Sequence, residues 1–146
     1  MSNNYINIAS SSYPSTRMRR NRRTNWSRRL IEENRLSVND LILPIFITDG
    51  DKKTVINSMP GVYRTPISQI IETVQEAKEL GIPAIALFPE TNTALKDEQG
   101  TEALNDKNLI CRATNLIKKN INDIGIITDV ALDPYTSHGH DGLLKD

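Results

Sequence analysis

Asp129, Asp133, Tyr135, Thr136, Ser137, His138, His140 and Asp141 crowd into one stretch, DVALDPYTSHGHDG at 129–142. Carboxylates, hydroxyls and imidazoles are the groups that hold small polar substrates, move protons and ligate metals. Gly139 and Gly142 loosen the backbone that carries them. The plain alternative is a polar loop whose histidines and hydroxyls only satisfy backbone groups. A Ser137–His138 nucleophile pair is not supported, because adjacent loop residues rarely face each other and no third orienting group accompanies them.

Something must position this stretch. Ile124-Gly125-Ile126-Ile127-Thr128, immediately before it, is apolar and β-branched, as a buried strand is. A strand that delivers polar groups into a Gly-containing loop is how α/β enzymes present reactive side chains. Two earlier runs have the same character: Leu41–Thr48, ending at the turn Asp49-Gly50-Asp51, and Pro83–Pro89. The second is too apolar to be exposed on either face. Pro44 costs the first a ladder hydrogen bond and belongs at a bulge or an unpaired stretch. An extended link containing Met59–Arg64 follows the first run.

Two amphipathic helices alternate with these strands. In the first, Thr65 serves as N-cap and Pro66 as the first helical residue. Ile67, Ile70, Ile71, Val74, Ala77 and Leu80 then form one apolar face, and Gly81 closes the helix as a left-handed cap. The second spans about 108–120 with Asn105 or Asp106 as cap. Leu109, Ile110, Ala113, Leu116 and Ile117 are buried, and Lys118 and Lys119 suit the negative end of the helix dipole. Cys111 beside that stripe reads as an inert packing residue. The loop between the second strand and this helix, 90–107, is long for its type and carries Lys96, Asp97, Glu98 and Glu102. A solvated charge cluster is the simplest reading of these four.

Strand, helix, strand, helix, strand implies parallel strands with right-handed crossovers. Either a (β/α)8 barrel or an open doubly wound sheet satisfies this. No Gly-rich phosphate loop follows the first strand, which weakens the nucleotide-binding version.

The formal charge is zero, but Arg17–Arg29 holds seven arginines and no acid, leaving 11 of the 18 basic residues against 18 acidic ones elsewhere, a net of −7. An arginine cluster neutralises phosphates, so nucleic-acid binding is one reading of this arm. It has a single aromatic residue, Trp26, rather than interleaved stacking residues, and the rest of the chain is acidic, both of which count against that reading. A short helix is expected from Asn25 to about Glu33. Residues 1–16, Ser- and Asn-rich without periodicity, are expected to be mobile. The one cysteine excludes an internal disulfide, no apolar run approaches the roughly 20 residues of a membrane span, and no signal peptide opens the chain. A soluble cytoplasmic protein with no membrane partner is expected.

The polar stretch closely resembles the signature loop of the porphobilinogen synthase (δ-aminolevulinic acid dehydratase) family. SMPGVYR at 58–64, LGIPAIALFP at 80–89, LKDEQGTEA at 95–103 and ITDVALDPYTSHGHDG at 127–142 match that family in order, and the resemblance runs almost continuously from Arg17 to the last residue. It implies a (β/α)8 barrel, of which this chain supplies about three units (36–146), preceded by an N-terminal oligomerisation arm (1–35) that wraps a neighbour in a homo-octamer. It also implies that the chain stops early, since such a barrel takes about 250 residues. The implied reaction condenses two molecules of 5-aminolevulinate into porphobilinogen for haem and other tetrapyrroles. Its Schiff-base lysines belong to later strands, and none of the lysines here stands where desolvation or a neighbouring cation would hold it neutral.

By the same resemblance Asp129 is an active-site carboxylate, Asp133 and Ser137 bind substrate, and Ser137 and His138 order the loop. Zinc-dependent relatives carry cysteines at the positions of Ala131, Asp133 and Asp141. Two carboxylates and an alanine are not a thiolate set, so zinc is not expected here; Asp133 and Asp141 suit magnesium, as in the magnesium-responsive, allosteric branch of the family.

Overall fold

The structure is a computed structural model and describes residues 13–17 and 19–143. The expectation of a mobile Ser/Asn-rich start therefore falls largely outside the described residues. Contacts divide the chain into two compact units, Met1–Leu36 and Ser37–Asp146.

The first unit contains the helix α1, Asn25–Leu30. It is shorter than the expected span to Glu33. The arm offers no apolar stripe to bury, and Trp26 and Leu30 are 69% and 78% exposed. A helix this short has little beyond local bonds to extend it. Its one buried residue is Ser27, whose hydroxyl lies 2.8 Å from Thr24 Oγ1 and donates to the Thr24 carbonyl at 3.1 Å.

The second unit carries β1 (Ile42–Thr48), β2 (Thr54–Val55), β3 (Tyr63–Pro66), α2 (Ile70–Glu79), β4 (Ala84–Pro89), α3 (Leu109–Asn120) and β5 (Gly125–Thr128). One sheet results, ordered β2-β3-β1-β4-β5. The expected strands β1, β4 and β5 are adjacent and parallel, with Ile45 opposite Leu87 and Ile85 opposite Ile126. β3 joins β1 in parallel and β2 pairs antiparallel with β3. These two lie in the stretch read from sequence as an extended link, because strands of two and four residues are too short to show a period. Pro44 pairs in register with Ala86, while pairing with β3 begins only at Phe46, so β1 is open on the β3 side beside the proline.

Helices cover one face of the sheet. Ile45 and Ile47 of β1 and Ile85 and Leu87 of β4 pack with Ile70, Val74 and Ala77 of α2 and Leu109, Ala113 and Ile117 of α3. The 3.6-residue period of each helix thus meets the two-residue period of the strands. Phe46 and Phe88 stack on the opposite face with ring centres 5.4 Å apart and stay half-buried, so β4 is not sealed on both sides as its composition suggests. β5 departs further from a buried strand: it has one neighbour, β4, and Ile127 is 47% exposed.

Both helix starts differ from the sequence reading. Thr65 and Pro66 end β3, a 3-10 turn Ile67–Gln69 follows, and α2 begins at Ile70. Thr65 is drawn into the sheet opposite Ile47, and tertiary pairing overrides its capping preference. The cap of α3 is Asn108, whose side chain accepts the Cys111 N–H at 2.9 Å, rather than Asn105 or Asp106. The end of α2 is as expected. Gly81 adopts φ 81°, its N–H donates to the Lys78 carbonyl and the Ile82 N–H to the Ala77 carbonyl. That is the paired-bond cap that a left-handed residue makes possible.

Candidate functional site

An acid stands one residue beyond the C-terminal end of three of the parallel strands: Asp49 after β1, Glu90 after β4 and Asp129 after β5. Asp49 is held by Arg112 of α3 at 2.5 and 2.7 Å, and Glu90 by Arg64 of β3 at 2.9 Å. Among the described residues Asp129 is in no ion pair. It is exposed, and its Oδ1 accepts the Ala131 N–H at 3.2 Å. That bond fixes the turn out of β5 and leaves a carboxylate at the strand end open to a ligand.

Asp141 closes the loop. Its Oδ1 accepts the N–H groups of Leu132 (2.7 Å) and Asp133 (3.0 Å), clamping the end of the stretch onto its beginning. Thr136 does the same from inside. It is buried, and its hydroxyl lies 2.9 Å from the His140 carbonyl and 3.4 Å from that of Asp133. Tyr135 is buried beside it, and that burial pushes its phenol above the ordinary value, with Cys111 and Glu102 adding to the shift. Asp133 and Ser137 are exposed at the surface of the same loop.

The loop after β4 is part of this site. Asp97 and Thr136 form a short parallel bridge, in which the Asp97 N–H donates to the Tyr135 carbonyl at 3.3 Å and the Ser137 N–H to the Asp97 carbonyl at 2.8 Å. The Asp97 carboxylate accepts the Thr101 N–H. His138 Nε2 lies 3.1 Å from the Glu98 carbonyl. Gly100, at φ 67°, lets this happen: a Cβ there would sit 3.4 Å from Thr136 Cγ2 and 3.7 Å from Tyr135 Cβ. The simple reading of Lys96, Asp97, Glu98 and Glu102 as a solvated cluster therefore misses the backbone. Lys96 and Asp97 are half-buried, and the main chain of 97–98 docks against the signature loop.

The model of the delta-aminolevulinic acid dehydratase family matches residues 15–146. The chain belongs to the delta-aminolevulinic acid dehydratase family. A family member from Bradyrhizobium diazoefficiens is 52% identical over 131 residues, which is 89% of this chain and 37% of that protein. The Synechocystis member is 43% identical over 137 residues, 91% of this chain and 40% of its own. A crystal structure of the Toxoplasma gondii dehydratase with its reaction product porphobilinogen superposes with a TM-score of 0.78 at 38% identity, covering 90% of this chain and 37% of that one. The chain thus spans about two fifths of the length of these relatives, and its sheet is the first part of the family's (β/α)8 barrel.

Ala131, Asp133 and Asp141 provide no thiolate, so the donor set does not fit a cysteine-held zinc. Asp133 and Asp141 fit magnesium, which accepts one or two carboxylates and keeps water for the rest. Among the described residues no three His, Cys, Asp or Glu side chains converge to enclose a metal, and one Asp141 oxygen already serves two amides.

Proposed function

We propose that this chain supplies one wall of a porphobilinogen synthase, the enzyme that condenses two molecules of 5-aminolevulinate into porphobilinogen. The observation that carries the reading is Asp129, a carboxylate outside any ion pair among the described residues, at the end of β5 and at the head of a loop ordered by Thr136 and Asp141. A carboxylate there can stabilise a protonated imine, or relay a proton by accepting it from one group and giving it to another. Asp133 and Ser137, on the outer surface of the same loop, meet the polar groups of substrate. Asp133 and Asp141 would be the residues to hold a magnesium ion, which would supply positive charge to the site.

The reaction also needs lysines that form the imines, and this chain does not contain them. A Schiff-base lysine must be desolvated or set beside another cation to stay neutral. Among the described lysines none is buried: Lys78 and Lys118 donate to the carbonyls of Asn122 and Ile124, and Lys52, Lys53, Lys107 and Lys119 are exposed. By this reading the 146 residues alone bind ligand weakly and do not turn over. In the complete site the arginine-rich arm serves self-association into an octamer rather than nucleic-acid binding, and the enzyme works in the cytoplasm.

The test is a titration of porphobilinogen into the isotopically labelled chain, followed by backbone NMR. Shifts concentrated at 129–142 and lost in Asp129→Asn support the reading. Shifts confined to the arm, or none at millimolar ligand, contradict it.

A further inference from the structure

His138 contributes more order to the signature loop than its exposed position suggests. Its Nε2 lies 3.1 Å from the Glu98 carbonyl, and its Nδ1 accepts the His140 N–H at 3.2 Å. A carbonyl can only accept and an amide N–H can only donate. One neutral form of the ring satisfies both contacts, with the proton on Nε2 and the lone pair on Nδ1. The rings of His138 and His140 also stack, with centres 5.9 Å apart and planes 18° from parallel.

The neighbouring bonds carry this order into the site. The next residue after His140 is Asp141, whose carboxylate holds the Leu132 and Asp133 amides. On the other side of His138, the Ser137 N–H is tied to the Asp97 carbonyl. We propose that His138 is a positioning residue: fixed as the Nε2–H tautomer between the Glu98 carbonyl and the His140 amide, it locks the signature loop, with Asp133 and Asp141, onto the loop after β4. The consequence for catalysis rests on the function proposed above; the latch itself rests only on this geometry.

Imidazole 15N NMR of the full chain tests the tautomer directly. A protonated Nε2 and an unprotonated Nδ1 in the neutral ring are expected, and the reverse assignment or an even mixture overturns the proposal. Amide exchange in variants tests the latch. In His138→Ala the His140 N–H loses its acceptor and should exchange about tenfold faster, as for one hydrogen bond lost. His138→Asn places its Oδ1 where Nδ1 stood and should restore slow exchange at His140. His138→Ala should also speed exchange at the Ser137 N–H, whose Asp97 partner is no longer held down at Glu98, and His138→Gln, which reaches the Glu98 carbonyl with its amide, should restore slow exchange there. If Asn and Gln both behave like Ala, or Ala like the wild type, the latch is overturned. Should His138→Ala not fold, the wild-type tautomer and the Asn/Gln pair still decide. A wild-type chain that shows the expected tautomer and binds no porphobilinogen would sink the functional reading and leave the latch standing.

Discussion

Asp49, Glu90 and Asp129 occupy equivalent places at three strand ends and differ in their partners. Arg112 and Arg64 neutralise the first two, in pairs exposed enough to contribute at most about 1 kcal/mol each. Asp129 keeps its charge available. In a chimera where residues 1–146 replace the matching part of the Bradyrhizobium relative, Asp129→Asn should lower the rate of porphobilinogen formation by about 100-fold or more, the range for a lost proton-transfer group. Asp141→Ala should release the Leu132 and Asp133 amides, read as faster exchange at those two N–H groups and not in α2 or α3. Tyr135 gives a pH signature. Its folded phenol titrates above its ordinary value because burial disfavours the phenolate. The folded state therefore retains this proton where the unfolded chain has lost it. The stabilisation is fully present below the unfolded phenol's range, near pH 10, and is lost as pH rises through the folded value. Urea midpoints should thus fall more steeply with alkaline pH in the wild type than in Tyr135→Phe. At this scale the sequence was partly legible. The types and crowding at 129–142 marked the loop, and the family resemblance singled out Asp129 within it. Thr136, Asp97 and Glu98 were in view by type, but their roles were not legible, because they act through a buried hydroxyl and backbone contacts that no spacing of side-chain types announces.

The elements were legible where a period runs long enough. Ile70, Val74 and Ala77, and Leu109, Ala113 and Ile117, repeat over ten and twelve residues and fall on the core as read. Ile117 is fully buried against the sheet, and Ile117→Ala should cost about 2–5 kcal/mol in a denaturant melt. Helix starts were less legible. Thr65-Pro66 has the residue types of a cap, yet it is the end of a strand, because its pairing with Ile47 and Thr48 of β1 decides the backbone. β2 and β3 leave too few residues to show alternation. The C-terminal signal at Gly81 was reliable because only a residue tolerant of φ 81° completes that cap. Gly81→Ala should destabilise the chain by about 1–2 kcal/mol, the usual cost of a side chain in the left-handed region.

At the scale of the molecule, β5 is an edge with Ile127 half-exposed, and helices cover one face of the sheet. The order of elements left both barrel and open sheet standing, since both use buried parallel strands with chemistry at their C-terminal ends, and the missing Gly-rich loop weakened only the nucleotide-binding version. Family membership resolves this as the first part of a barrel. The arm's role is a separate matter of charge: seven arginines without an acid can face an acidic partner or a phosphate backbone. Removing residues 1–35 from the chimera should reduce its oligomeric state by light scattering, and the intact chimera should show no salt-sensitive binding to random DNA.

The most direct test of the central claim is the porphobilinogen assay on that chimera, with and without magnesium. Formation of porphobilinogen, increased by magnesium and lowered by about 100-fold or more in Asp129→Asn, is the result expected if residues 129–142 form one wall of the site. A folded chimera that makes no porphobilinogen, or whose activity is indifferent to Asp129, would contradict it.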